Sequence, residues 1–185
     1  RDVWKRANKQ RLERMTTHTP LEITDDLLVS ELWARDVPFL PGEQISPAPL
    51  LDPTTLIQSL AQSKDARVRM ALIPLFLRHP EFSGEARNAD ETMPAQSSQL
   101  VLRFYYTAAS LLQQKYREQL VKLYGNQKRL PDLFSNKLGV SLNDDPNKLL
   151  LKLAKRHQVL SGQRINWLES YEHSAERLIK YVEKF

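Results

Sequence analysis

Apolar side chains recur at helical spacing along most of this chain, and the clearest run covers residues 68–77. Its strongest apolar positions fall at i, i+3, i+4, i+7 and i+8, which is the repeat of one face of an α-helix. Most of the remaining positions are apolar as well, so the pattern predicts a central, buried helix. Pro74 lies inside the run and predicts a kink, because proline cannot donate a hydrogen bond to the carbonyl of Met70.

A second predicted helix precedes this one, and together they predict a helical hairpin over residues 51–81. Asp52 and Pro53 are the residue types preferred at the N-cap and at the first position of a helix. Leu56 and Leu60 then share one face, and a polar turn separates the two helices. The hairpin is the best-defined unit in the sequence.

The hairpin also resembles a known repeat. Its sequence LIQSLAQSKDARVRMALIPLFL is similar to one HEAT repeat, in which a short helix and a turn are followed by a second helix. The resemblance covers about 30 of the 185 residues and is carried by Asp65, Val68, Arg69 and Ala71. A HEAT solenoid requires further copies at a period of about 40–47 residues, and the chain shows no second copy. We therefore expect a single hairpin within a helical bundle.

Helical patterns cover most of the rest of the chain, whereas strand patterns are nearly absent. Beyond the hairpin, helices are predicted near residues 25–32, 98–124, 131–138, 146–160 and 167–182. Glycines that can end a helix follow three of these segments, and capping residues precede others. The sequence therefore predicts an all-α protein, an irregular helical bundle of about six to seven helices with a buried central hairpin.

Three segments lack a regular apolar pattern. Residues 1–15 are basic and predict a peripheral arm. Residues 37–53 hold five of the eleven prolines and predict an extended connector. Residues 81–98 are polar, with one glycine and one proline, which predicts a long loop. We therefore divide the chain into an N-terminal part, residues 1–50, with the arm, a helix and the connector, and a helical core domain, residues 51–185.

The composition is that of an ordinary globular protein, with 41% hydrophobic and 26% charged residues. The sequence contains no cysteine, which excludes disulfides and thiolate metal sites. The longest apolar run, residues 70–77, is far shorter than the stretch of about 18 residues that a membrane span needs. No signal-peptide pattern is present. These features predict a cytoplasmic protein that does not enter a membrane.

The charged residues are unevenly placed along the chain. Residues 21–100 contain six basic against twelve acidic side chains, whereas residues 101–164 contain twelve basic against four acidic ones. Such asymmetry often accompanies an anionic partner. An equally good interpretation is that the two halves fold together and neutralise each other.

The reactive side chains do not predict an enzyme. The chain has no nucleophilic cysteine, no glycine-rich phosphate loop and no G-x-S-x-G motif. The paired aspartates at positions 25–26 and 144–145 stand at predicted helix starts, where capping explains them. An enzymatic function would have to use Glu169, Glu172 and His173, and no second histidine at matching spacing completes a metal site there. We predict no catalytic residue, cofactor or metal.

Two functional hypotheses remain, and the first is a non-enzymatic accessory or regulatory subunit. Such a subunit would bind another protein, or a second copy of itself, within a larger assembly. Arms and extended proline segments commonly dock on neighbours, because they bury little against their own domain. The predicted contact residues are Trp4, Arg6, Pro38 and Pro41.

The second hypothesis is a nucleic-acid-binding protein that uses a basic surface in residues 115–156. Basic side chains suit phosphate contacts, and interleaved tyrosines suit stacking on nucleobases. The predicted contact residues are Arg117, Lys122, Lys128, Arg129, Lys148, Lys152, Lys155 and Arg156. A solvated basic face explains the same pattern without a ligand.

Overall fold

The computed structural model describes residues 20–184, and every regular element in that range is helical. The elements are α1 (Asp25–Trp33), α2 (Pro53–Gln62), α3 (Ala66–Met70), α4 (Leu72–Arg78), a 3₁₀ turn (Pro80–Phe82), α5 (Ser83–Thr92), α6 (Gln96–Lys115), α7 (Arg117–Tyr124), α8 (Ser135–Leu138), α9 (Pro146–Ser161) and α10 (Trp167–Glu183). The all-α prediction is confirmed. No helix in the described range is long and apolar enough to cross a membrane. The predicted contact residues Trp4 and Arg6 lie outside the described residues.

The centre of the bundle is α4, which packs against α6 and α10. Residues 72–77 are all buried, so α4 is apolar on every side, as its sequence predicts. The long helix α6 also packs against α2, α5 and α9. The predicted hairpin is therefore central in the bundle and its last part, α4, is buried on every side, whereas α3 buries only Val68.

Residues 25–40 belong to the same hydrophobic core as the later helices. Leu28 and Leu32 of α1, together with Val37 and Phe39, join one cluster of buried apolar side chains with residues of α2, α4, α6 and α10. The helix α1 packs directly on α2 and α3. Residues 25–40 of the N-terminal segment are thus packed on the helical core, whereas residues 41–50 are largely exposed.

The proline-rich connector lacks regular structure, as predicted, and it is anchored on α1. Glu31 and Arg35 form a buried ion pair with an N–O distance of 2.5 Å. The Glu31 carboxylate accepts hydrogen bonds from the backbone N–H groups of Leu50 and Leu51, at 2.7 and 3.2 Å. Arg35 donates to the carbonyl of Leu51. A buried charge pair needs such additional hydrogen bonds to offset its desolvation, and the connector supplies them.

The predicted kink at Pro74 coincides with a break between two helices at Ala71, although Ala71 keeps a right-handed helical backbone with φ of −61° and ψ of −13°. The buried run divides between α3 and α4 at Ala71, one residue after Met70. Pro74 cannot donate to the Met70 carbonyl, so the helical hydrogen-bond pattern is lost at this turn. The interruption therefore follows from the proline, although the sequence did not predict two separate helices.

Two other predicted helices differ from the structure. The predicted continuous helix 98–124 is wrong, because α6 and α7 are separated at Tyr116, whose φ of −101° and ψ of 22° are not helical. The Tyr116 hydroxyl donates to Glu176 of α10 at 3.1 Å. The predicted helix 131–138 is also too long, since only the short α8 is helical there. The division at Tyr116 contains no proline or glycine, and Tyr116 contacts α10 there.

Helix ends follow the capping chemistry that the sequence predicts. Side chains accept a hydrogen bond from a first-turn N–H group in α1, α2, α9 and α10, and they belong to Thr24, Asp52, Asp145 and Asn166. Gly139 and Gly162 end α8 and α9 with φ of 69° and 68°. Glycine enters this left-handed region without steric cost. Asp145 thus has the capping role predicted for its acidic pair.

The predicted long loop at residues 81–98 is wrong. The 3₁₀ turn and α5 occupy most of it, and only residues 93–95 separate α5 from α6. The buried residues of α5 include Ala86, Ala89 and Asp90. These small or charged side chains lack the large apolar periodicity by which a helix is recognised in sequence.

Asp90 explains how such a polar segment packs as a helix. Its carboxylate is 1% exposed and binds Arg103 Nε at 2.7 Å and Lys137 Nζ at 2.8 Å. A buried carboxylate is tolerated when cations and hydrogen bonds satisfy it. Both partners lie outside the segment, so its own sequence could not reveal this interaction.

Candidate functional site

A cavity of about 430 Å³ lies between α1, α4, α7 and α10. We call it the aromatic groove, and its main lining residues are Trp33, Pro38, Arg78, Leu123, Tyr124 and Tyr181. Pro38, one of the predicted contact residues, is half-buried in this lining, whereas Pro41 is exposed and lies outside it. The groove thus contains one predicted contact residue and several that the sequence did not predict.

Packing between helices holds the rings of the aromatic groove in place. Trp33, the last residue of α1, meets Tyr181 of α10 edge-to-face with ring centroids 6.1 Å apart. Aromatic rings favour this arrangement because of their quadrupoles. The Trp33 indole N–H donates to the carbonyl of Leu40 at 2.9 Å. This hydrogen bond ties the chain after α1 back to the ring and so fixes Pro38 beside it.

One ion pair lies in the lining of the groove. The Arg78 guanidinium lies over the Tyr124 ring, 4.6 Å from its centroid, in a cation–π contact. Arg78 Nη2 is also 3.6 Å from Asp36 Oδ2. The Asp36 side chain is 84% exposed, and its φ of 57° lies in the left-handed region that aspartate tolerates. Arg78 is therefore held by a ring face and a solvated carboxylate.

Two polar atoms of the groove are buried without a hydrogen-bond partner among the described residues. They are Arg78 Nε and Tyr124 Oη. Burial raises the pKa of Tyr124, so its hydroxyl stays protonated at neutral pH and remains a donor. An unpaired buried donor costs about 1–3 kcal/mol. Both atoms lie beneath the surface of the groove, so a ligand reaches them only after their side chains move.

A second cavity, of about 450 Å³, brings together two of the predicted nucleic-acid contacts. We call it the arginine cavity, and its polar lining residues are Gln113, Gln114, Arg117, Asn126, Gln127 and Arg129. Gln113 shapes this cavity, because its amide donates to the carbonyl of Lys128 at 2.9 Å and accepts from the N–H of Leu130 at 2.8 Å. Two guanidinium groups and several amides thus share one concave surface.

The other predicted basic contacts are dispersed, and several bind groups of this chain. Lys148 and Lys152 both approach Asp144, with N–O distances of 3.8 and 3.4 Å. Arg156 is half-buried and donates to the carbonyl of Leu138 at 2.9 Å. The remaining members are exposed, and they are Lys122, Lys128 and Lys155. Arg117 and Arg129 are thus the two predicted basic contacts that share a cavity, and the basic surface of residues 115–156 stays a prediction.

The residues considered for an enzymatic function are not gathered at a cavity. Glu172 binds Lys115 at 2.5 Å, and Glu169 accepts from the Asn166 amide at 2.9 Å. Neither they nor His173 line the aromatic groove or the arginine cavity. Among residues 20–184, no group of three or more histidine, aspartate or glutamate side chains is placed to hold a metal ion.

The aromatic groove could not be found from sequence, because its residues lie on four helices that are distant in the chain. Comparisons with protein-family models, with curated proteins and with solved structures find no match to this chain. The sequence did contain one local signal of the aromatic groove. Trp33, Arg78 and Tyr124 are each the last residue of a helix, and Tyr181 lies in the last turn of α10. Large side chains at several helix ends indicate a place where those ends meet.

Proposed function

We propose that this chain is a non-enzymatic helical accessory or regulatory subunit that binds a segment of another protein in the aromatic groove. The observation that carries the proposal is a largely apolar cavity whose aromatic side chains, Trp33, Tyr124 and Tyr181, come from three helices. Buried polar groups in folded proteins are nearly always hydrogen-bonded. A partner whose binding exposes Arg78 Nε and Tyr124 Oη to its own acceptors removes the cost of leaving them unpaired.

The lining of the groove favours an extended, proline-containing segment. Aromatic grooves bind such segments because they are already ordered before binding and their rings pack on aromatic faces. A proline carries a carbonyl acceptor but no N–H group, so it brings an acceptor to the groove without adding a donor that needs its own partner. Because the sequence contains no cysteine, a reducing compartment suits it, and we propose that the subunit works in the cytoplasm.

The proposal is tested by titrating the ¹⁵N-labelled protein with decaproline blocked at both ends. We expect saturable shifts of the Trp33 indole N–H signal, and about fivefold weaker binding for Tyr124→Phe, since one hydrogen bond contributes about 1 kcal/mol. Tyr116→Phe is the matched control, because it removes a hydroxyl bound to Glu176 outside the groove. Its affinity should equal that of the unaltered protein.

Two results would contradict the proposal that the aromatic groove binds a segment of another protein. One is the absence of saturable shifts up to millimolar peptide, and the other is an equal loss of affinity in Tyr124→Phe and Tyr116→Phe. Shifts of the same signals with rising protein concentration alone would identify a second copy of this chain as the occupant.

Nucleic-acid binding is a second candidate, and the arginine cavity is the observation that favours it. Arg117 and Arg129 with neighbouring amides supply the donors that phosphate groups accept. Fluorescence anisotropy with labelled DNA and RNA at several salt concentrations measures the slope of log affinity against log salt. Arg117→Ala/Arg129→Ala should lower this slope by about two units. The control Lys64→Ala/Arg87→Ala removes equal charge elsewhere, and equal slopes in both variants would exclude this surface.

A further inference from the structure

Exposed apolar side chains are concentrated on two surfaces of opposite charge. The first, which we call the acidic surface, consists of residues 20–26 and 41–50, with four acidic side chains and no basic one. The second, which we call the basic face, is the exposed side of α9. Six of the eight large apolar side chains that are exposed in residues 20–184 lie on these surfaces, and they are Leu21, Ile23, Ile45, Leu50, Leu151 and Val159. Such a concentration of exposed apolar side chains is typical of an interaction site.

The helix α1 brings the two segments of the acidic surface together. The backbone N–H group of Ile45 donates to Ser30 Oγ at 2.7 Å. Asp26 lies one turn before Ser30 on the same side of α1. The other acidic side chains of this surface are also exposed, and they are Glu22, Asp25 and Glu43. Residues 41–50 are therefore next to the start of α1, and carboxylates and apolar side chains share one surface.

Helical spacing places the basic face on one side of α9. Its exposed residues follow at i, i+3, i+4, i+7 and i+11, and they are Lys148, Leu151, Lys152, Lys155 and Val159. Residues 146–165 contain five basic side chains and no acidic one. Asp144, just before the helix, lies 3.8 and 3.4 Å from the ammonium groups of Lys148 and Lys152. One carboxylate faces two cations, so the basic face keeps a net positive charge.

The acidic surface and the basic face adjoin one cavity, and each is left exposed. The helix α1 packs on α2 and α3, whereas α9 packs on α6 and α10. Asp25 accepts a hydrogen bond from the Ser63 hydroxyl at 2.8 Å. Ser63 in turn lines a cavity of about 370 Å³ together with Leu160 of α9. Neighbouring surfaces of opposite charge become self-complementary when a two-fold axis relates two copies.

We propose that this chain forms a two-fold symmetric dimer in which the acidic surface of each copy binds the basic face of the other. A second copy is the occupant because it carries both complementary surfaces, and a two-fold axis forms each contact twice. The carboxylates lie against the lysines, and the exposed apolar side chains of both surfaces pack between them. Neither surface shares a residue with the lining of the aromatic groove, so this inference is independent of the proposed function.

The test is analytical ultracentrifugation of the full chain at protein concentrations up to millimolar, at low and at high salt. We expect an equilibrium between monomer and dimer whose dissociation constant rises with salt, because salt screens exposed charges. A chain that stays monomeric at millimolar concentration and low salt would overturn the proposal. A mass that grows beyond two chains would overturn the two-fold arrangement.

Exchanging charges between the two surfaces identifies the contact. Glu22→Lys/Glu43→Lys cancels the net charge of the acidic surface, and Lys148→Glu/Lys155→Glu changes the charge of the basic face by the same amount. Each variant alone should weaken the dimer about tenfold, because attraction is lost at both contacts. An equal mixture of the two variants should restore the dimer. In the mixed dimer, one contact joins two unaltered surfaces and the other joins two exchanged ones.

Controls at exposed positions outside both surfaces complete the test. Lys122→Glu/Lys128→Glu makes the same change of charge on exposed side chains elsewhere, and it should leave the dissociation constant unchanged. Val159→Ser should weaken the dimer severalfold without a change of charge, whereas Val121→Ser, also at an exposed position, should not. These two variants keep the test valid if a charge variant does not fold. Equal dissociation constants for Val159→Ser and Val121→Ser, or no recovery in the mixture, would overturn the proposal.

Discussion

Three buried donors in the described chain lack a hydrogen-bond partner, namely Arg78 Nε, Tyr124 Oη and Trp167 Nε1. All three side chains line a cavity. Each unpaired donor lowers the free energy of unfolding by about 1–3 kcal/mol. Removing such a donor should therefore stabilise the free protein, whereas removing a donor that has a partner should destabilise it.

Tyr124→Phe tests this expectation in the aromatic groove. The substitution removes the unpaired hydroxyl and keeps the ring under Arg78, so we expect the free energy of unfolding to rise by about 1 kcal/mol. Tyr106→Phe is the control, because the Tyr106 hydroxyl donates to the carbonyl of Pro131 at 2.9 Å. It should lower the free energy of unfolding by about 1 kcal/mol. Urea denaturation measures both, and a loss of stability in both variants would contradict the prediction.

His157 predicts a dependence of stability on pH. Its folded-state pKa of about 3 lies below the usual 6.5, because burial disfavours the imidazolium. The unfolded chain therefore binds this proton more tightly, and stability falls as the pH drops from 6.5 towards 3. We expect a loss of about 2 kcal/mol between pH 7 and pH 5.

Two variants test whether His157 causes this loss of stability at low pH. His157→Phe should flatten the dependence between pH 7 and pH 5, whatever its effect on stability at neutral pH. His173→Gln, which removes an exposed histidine, should retain it. Chemical denaturation at several pH values gives the slopes. An unchanged slope in His157→Phe would show that other groups cause the loss.

At the scale of the element, the sequence was sufficient where local chemistry decides the structure. Capping side chains and glycines set several helix boundaries, and uninterrupted apolar spacing identified α4. The sequence was insufficient where contacts with residues distant in the chain decide the structure. The helix α5 buries small side chains and a carboxylate whose cations come from α6 and from the segment near α8. The aromatic groove was missed for the same reason, since Trp33 and Tyr124 become neighbours of one cavity only through packing.

Asp90→Ala tests the interaction that holds α5 in place. The substitution leaves Arg103, which is 16% exposed, without its carboxylate. Removing one partner of a buried ion pair is strongly destabilising, so we expect the free energy of unfolding to fall by about 3 kcal/mol. Glu91→Ala, at the exposed neighbouring position, should change it by less than about 0.5 kcal/mol. Equal effects of the two substitutions would mean that Asp90 does not anchor the helix.

At the scale of the whole molecule, the acidic and basic halves of the chain contact each other. Asp90 of the acidic half binds Arg103 and Lys137 of the basic half. This supports the interpretation that the two halves partly neutralise each other. Arg117 and Arg129 remain exposed at the arginine cavity. Part of the charge asymmetry of the sequence is therefore neutralised by contacts within the fold, and Arg117 and Arg129 belong to the part that stays exposed.

The shared core predicts that residues 25–40 and the later helices unfold together. Leu32 is 0% exposed and belongs to the cluster that also contains Tyr171 and Leu178 of α10. Leu32→Ala leaves a cavity in this cluster, so we expect a loss of about 3 kcal/mol. Hydrogen exchange measured by mass spectrometry should show an equal loss of protection in α1 and α10, whereas Leu21→Ala, at a 54% exposed position, should leave both unchanged. If only α1 lost protection, residues 25–40 would be a separate unit, because a single cooperative core transmits a local loss to all its helices.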